Sequence, residues 1–162
     1  MVFSYFSDHP KNYQNNLPAF HINEYFNGPV EAWGILKDWR GHVTRRFKVT
    51  MVGSWQKEKG VLEEKFYFDD GEEQTRTWHI TLKNSQEFIA KAQDSVGEAL
   101  GVQRGNTLQM TYTLRIPYKQ STLDLTLDDW MYLVDNKHLM NVSTMKRWGL
   151  PVGQIIIGFT KL

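Results

Sequence analysis

The sequence predicts an all-β protein: an antiparallel up-and-down barrel of about nine or ten strands over residues 26–162, behind an extended N-terminal lead-in over residues 1–25. Three observations predict it. After Val30, apolar and polar residues alternate through most of the chain, the period of a strand with one face in a core and the other in water. Turn signals separate these runs at intervals typical of sandwiches and barrels. Aromatic residues make up 14% of the chain, with six Trp, nine Phe and seven Tyr, and aromatics combine strand propensity with a large apolar area. That many strands exceed what one open sheet comfortably carries, so closure into a barrel follows. At 162 residues the chain suits one domain, a size that buries about 70% of the surface its unfolded chain exposes.

Taken in order, residues 1–25 are polar, contain Pro10, Pro18 and several Asn, and show neither the helical nor the strand period. "KDWRGHV" marks a hairpin at Arg40-Gly41. The strand after it sets Arg45, Phe47, Val49, Met51, Gly53 and Trp55 on one face, with Arg46, Lys48, Thr50 and Ser54 on the other. Leu62, Glu64, Phe66 and Phe68 share a face, and across "DDGEEQ" Arg76, Trp78, Ile80 and Leu82 share the facing one. "NSQEFIAKAQDSVGEALG" stays open between two readings. Asn84 and Glu87 resemble a capping box, with Phe88, Ala92 and Val96 at helical spacing; yet Gly97 and Gly101 interrupt the run and suit two short strands with barrel bends. Leu108, Met110, Tyr112, Leu114 and Ile116 alternate next, then Leu123, Leu125 and Leu127, and "GQIIIGFTKL" reads as a closing strand.

Composition excludes several functions. Lys and Arg total 19 against 18 for Asp and Glu, a formal net charge of +1, so no overall field attracts polyanions and nucleic acid is not an expected partner. The absence of cysteine removes disulfides, zinc ribbons and thiol nucleophiles. No run approaches the roughly 18 apolar residues of a spanning helix, and "MVFSYFSDHPKNYQNN" is not an intact secretory signal, which predicts a soluble chain.

Four carboxylates surround Gly71, namely Asp69, Asp70, Glu72 and Glu73, but the register of an EF-hand fails, and Asp-Gly between two alternating runs predicts a solvated hairpin. Asp128-Asp129 and Glu63-Glu64 are adjacent pairs whose members point to opposite faces of a strand, and Asp128-Asp129 reads as a strand end. His9, His21, His42, His79 and His138 are scattered, without the spacing of a metal site, and "VGSWQ" lacks the second glycine of a nucleophile elbow. No catalytic residue, metal or cofactor is therefore assigned. What remains is Arg76 and Glu64. By parity both share the inward face of Phe66, Phe68 and Trp78, where a charge must find a partner: a structural ion pair, charges reaching back to water, or a polar anchor for a ligand in an apolar cavity.

Five stretches stand out together: Phe26-Asn27-Gly28, "GHVTRRFKV" at Gly41 to Val49, "FDDGE" at Phe68 to Glu72 with Arg76 and Trp78 following, "YTLRIP" at Tyr112 to Pro117, and "DDWMYLVD" at Asp128 to Asp135. On these residues, over about Tyr25 to Phe159, the chain resembles the bacterial family labelled domain of unknown function 3833, a set of lipoproteins regarded as lipocalin-like barrels. The resemblance implies a lipocalin-like barrel and a periplasmic or cell-envelope location, and it transfers no catalytic residue. Members often begin with a signal and a lipidated Cys. Both are absent from this sequence, so contact with a membrane surface through a lipid anchor stays open, with a cytoplasmic location as the alternative. The lipocalin signature Gly-x-Trp belongs on a first strand, whereas Gly53-Ser54-Trp55 falls on the second.

The function expected is a binding module for a hydrophobic or amphipathic small molecule, a fatty acid or lipid, held inside the barrel. Phe47, Met51, Phe66, Trp78, Met110 and Tyr112 form the expected wall, with Arg76 as anchor and with a direct pair to Glu64 left open by the hairpin pairing. Two alternatives stand beside it: an isomerase or hydrolase built on Glu64, Arg76 and Tyr112, and a structural barrel filled by its own side chains.

Overall fold

The computed structural model describes residues 8–162. Ten antiparallel strands form a closed barrel: β1 (Gly28–Asp38), β2 (Val43–Gln56), β3 (Lys59–Phe68), β4 (Glu73–Leu82), β5 (Glu87–Lys91), β6 (Ala99–Arg104), β7 (Thr107–Tyr118), β8 (Ser121–Leu133), β9 (His138–Arg147) and β10 (Leu150–Lys161). Each strand pairs with its sequence neighbour, and β10 returns to β1 with Ala32 opposite Phe159, so no edge is left unpaired. The alternation is met strand by strand. On β2, Phe47, Val49, Met51 and Gly53 are buried while Arg46, Lys48, Thr50 and Val52 face out.

Residues 84–101 resolve as strands. Asn84 does what a helix cap would do, its Oδ1 accepting from the backbone N–H groups of Gln86 and Glu87 at 2.9 and 2.8 Å, but the turn it closes leads into β5. The exposed edge of β4 decides the matter by pairing His79–Leu82 with Phe88–Lys91. Gly101 then lies under Phe88, where a Cβ would stand 2.0 Å from the ring.

The lead-in is not simply extended. It contains a short 3-10 helix, Pro10–Tyr13, and one turn of helix, α1 (Ile22–Tyr25). Tyr13 packs edge-on against Tyr132 outside β8, and the chain then crosses one end of the barrel and plugs it with Phe20, Ile22, Tyr25 and Phe26, all 4% exposed or less. Tertiary anchors hold this plug where local propensity would not. The Ile22 N–H donates to Gln103 Oε1 at 2.9 Å, the Tyr25 hydroxyl donates to the Lys137 carbonyl at 2.8 Å, and Lys161 Nζ donates to the carbonyls of Glu24, Tyr25 and Asn27. Gly53 and Trp55 serve the same contact. A Cβ on Gly53 would collide with the Phe26 carbonyl, and the Trp55 indole N–H donates to that carbonyl at 3.0 Å. At the opposite end the β1–β2, β3–β4, β7–β8 and β9–β10 hairpins and the β5–β6 connection form an open rim.

Candidate functional site: a cavity with a polar belt

Inward side chains leave a cavity of about 710 Å³, running from Ile22 and Phe26 at the plug to Leu36, Arg45, Glu72, Arg115 and Pro117 at the rim. One wall is aromatic. Phe47, Phe66 and Phe68 cluster with centroids 5.5–6.2 Å apart, and Trp78 meets Tyr112 edge-on at 5.2 Å. The other wall is aliphatic, with Leu114, Leu125, Leu127, Ile155 and Ile157. Of the sequence-predicted residues, Phe47, Glu64, Phe66, Arg76, Trp78, Met110 and Tyr112 all line this cavity. Met51 is buried, 3% exposed, but packs within the core instead of lining the space.

A belt of polar groups crosses the apolar interior. Glu64 stands directly opposite Arg76 in the β3–β4 ladder, yet the guanidinium turns to Asp94: Nε donates at 3.1 and 3.2 Å and Nη2 at 2.8 Å. Asp94 is in position because β5 is short. Beyond His79, toward the rim, β4 has no ladder to β5, and the connection after β5 fills the gap. Gln93 accepts from the Thr77 N–H and donates to the Thr75 carbonyl, while the Asp94 carbonyl accepts from the Arg115 N–H on β7. Arg76–Asp94 thus ties the barrel wall across this gap; of the options open for Arg76, an ion pair is formed, with Asp94 and not Glu64 as the hydrogen-bonded partner.

Asp129 is a correction to the sequence reading. It lies within β8 and not at a strand end, it is 4% exposed, and it points inward with Leu125 and Leu127. Its carboxylate accepts from the Tyr112 hydroxyl at 2.9 Å and from the Asn141 side-chain amide. Ser143, its partner across the β8–β9 ladder, is 2% exposed and lines the cavity, and its hydroxyl has no partner among the described residues. A buried polar group left so calls for a partner from outside the protein.

Burial raises the Glu64 carboxyl to about 7, opposed by the positive charge of Arg76 and reinforced by the negative charges of Asp129 and Asp94. Burial likewise raises Asp129 to about 6 against the hydrogen bonds from Asn141 and Tyr112, and it pushes the Tyr112 phenol well above its ordinary value. Burial works against the Arg76 charge, but its hydrogen bonds to Asp94 and the Glu64 and Asp94 charges more than offset that. The belt therefore holds a fixed cation–carboxylate pair beside two carboxyls able to keep or release protons close to neutral pH.

The acidic hairpin is the solvated turn the sequence predicts: Asp69 pairs with Arg46, and Asp70 and Glu72 pair with Arg45. Arg45 in turn lies 3.6 Å over the Phe68 ring at the cavity mouth. Of the four site residues that the sequence reading missed, Asp129, Asn141, Ser143 and Asp94, only Asp129 had a readable signal. The Leu123, Leu125, Leu127 alternation extends to Asp129 by parity alone. Asn141 and Ser143 lie on a strand whose inward and outward positions are both partly polar, and Asp94 lies in a connection, so no period announces them.

A closed ten-stranded antiparallel meander around an internal cavity is a lipocalin-like barrel. The chain belongs to the family described as "Protein of unknown function (DUF3833)", whose profile matches residues 1–161. Among solved structures it is similar to the S-type phycobiliprotein lyase CPES from Guillardia theta, with a TM-score of 0.64, 9% sequence identity, and coverage of 96% of this chain and 98% of that one. At that identity the likeness is one of fold. A comparison with curated proteins gives no match.

Proposed function

We propose that this protein binds an amphipathic small molecule inside its barrel, the apolar body against Phe47, Phe66, Trp78 and Met110 and the polar head at the belt of Arg76, Glu64, Tyr112, Asp129 and Ser143. The observation that carries the reading is the cavity itself: about 710 Å³, open at one end, plugged at the other, and crossed by polar groups at one level. A barrel filled by its own side chains would have no such space.

The ligand class we propose is a fatty acid or neutral lipid, and the cell envelope is the location we propose for the protein. Because Arg76 is already engaged by Asp94, an anionic head is not simply neutralised there. A carboxyl head fits by sharing the proton of Glu64 beside the Arg76 charge, and a hydroxyl or amide head fits by donating to Asp129 or Ser143. Two inward carboxyls raised toward neutrality also favour a second reading, acid–base catalysis on the bound molecule, with Glu64 and Asp129 exchanging protons and Tyr112 positioning.

Native mass spectrometry after expression in a bacterial envelope tests the proposal. We expect a discrete copurified mass, released by organic extraction and diminished in Arg76→Ala and Tyr112→Phe. Protein that stays bare after being offered fatty acids and envelope lipids would overturn it. Turnover of a loaded ligand, abolished by Glu64→Gln while loading persists, would favour the catalytic reading.

A further inference from the structure

The open rim is asymmetric in both charge and polarity. Following the barrel order β1-β10-β9-β8-β7, the β1–β2, β9–β10 and β7–β8 hairpins are contiguous, and each presents an aromatic ring with a neighbouring cation over it. Arg40 lies 5.9 Å from the Trp39 ring, Arg147 4.2 Å from Trp148, and Lys119 5.3 Å from Tyr118. Trp39 is 75% and Trp148 85% exposed, flanked by exposed Val43 and Leu150. Lys37, Lys119, Lys146 and Arg147 belong to these three hairpins, and none has a carboxylate ion-pair partner among the described residues. The rest of the rim is acidic, with Asp69, Asp70, Glu72 and Glu73 on the β3–β4 hairpin and Asp94 and Glu98 in the β5–β6 connection.

Folding does not account for the β9–β10 tip. Trp148 and Gly149 both adopt positive φ, 51° and 77°, a two-residue turn in which Asn-Gly is the favoured pair and a bulky side chain at the first position is disfavoured. The sequence places an exposed Trp where neither the core nor the turn asks for one.

We infer that the three contiguous tips dock on an anionic lipid bilayer, with Trp39, Tyr118 and Trp148 at the headgroup level and the unpaired lysines and arginine on the anionic headgroups. Aromatic rings with adjacent cations are the chemistry of the membrane interface, and basic residues there are drawn to anionic lipid. Exposed charges on the outer wall, among them Glu31, Lys48, Glu63 and Lys91, mean that lipid meets the rim and does not surround the barrel. The cavity continues into the same rim: Leu36, Arg115, Ile116, Pro117 and Met145, on the strands that carry these hairpins, line its mouth. A docked barrel therefore opens toward the bilayer whatever ligand it holds.

The test is cosedimentation of the full chain with vesicles of phosphatidylcholine, alone and mixed with phosphatidylglycerol, together with quenching of tryptophan fluorescence by brominated lipid. Binding to the mixed vesicles is expected, weakened by salt, and reduced about tenfold or more by Trp39→Ala with Trp148→Ala and by Lys146→Glu with Arg147→Glu. Trp148→Asn is the sharper variant. It relieves the turn, so thermal stability should hold or rise while vesicle affinity and quenching fall. Equal affinity for uncharged vesicles, no binding to either, or binding lost through Trp33→Ala on the outer wall but not through the tip variants would each overturn the inference. Self-association abolished by the tip variants in the absence of vesicle binding would do the same, assigning the tips to a protein contact.

Discussion

Replacing Glu64 by Gln isolates the electrostatic cost of the polar belt, because the amide keeps the shape of the protonated carboxyl and removes its charge. An ordinary value of 4.5 raised to about 7 by burial corresponds to about 3 kcal/mol. The native state holds this proton more tightly than the unfolded chain does. Stability is therefore unaffected below about pH 4.5, falls as the pH rises toward 7, and carries the whole penalty above it. Water in the cavity softens the burial, so about 3 kcal/mol is a ceiling. Urea unfolding of wild type and Glu64→Gln, followed by tryptophan fluorescence, should coincide near about pH 4 and separate by about 1–2 M in midpoint at about pH 8, the variant being the more stable. A gap of the same size at both pH values, or a variant less stable at the higher one, would refute the reasoning.

Arg76→Ala removes the tie to Asp94 and leaves that carboxylate beside Glu64; with the pair's side chains 16% and 28% exposed, a loss of about 2 kcal/mol is expected by urea unfolding, more than Asp94→Asn costs. Gly53→Ala forces the backbone at Phe26 away, and the plug should loosen, read as faster amide exchange at Ile22 and Phe26 with β7 and β8 unchanged. Phe20→Ala empties a fully buried site at the plugged end and should cost about 3–5 kcal/mol by urea unfolding. Fatty-acid binding that shares the Glu64 proton should be tighter at about pH 6 than at about pH 8, with net proton uptake by calorimetry in two buffers; an affinity that rises with pH would exclude that head-group arrangement.

Much of the barrel was legible because the side-chain period of a strand is two and belongs to the residues themselves. Phe47, Phe66, Trp78, Met110 and Tyr112 could be assigned to the inner face from parity, and Gly41 and Gly71, both with positive φ, could be assigned to turns from their neighbours. Residues 84–101 show the limit of local signals. Asn84 caps a turn in either structure, and the free edges of β4 and β7 selected strands over a helix.

The sequence by itself determined which residues face inward, where the chain turns, and that strands so numerous must close. These are short-range properties, fixed by chirality, pleat and apolar pattern. Only the tertiary structure decided which inward groups meet. Arg76 finds Asp94 across a gap left by a short strand, Asp129 finds Tyr112 and Asn141 through the registers of β7, β8 and β9, and the polar lead-in becomes a plug because Gln103, Lys137 and Lys161 receive it. Those encounters depend on barrel closure and strand stagger, which join residues far apart in the chain, and no local period records them.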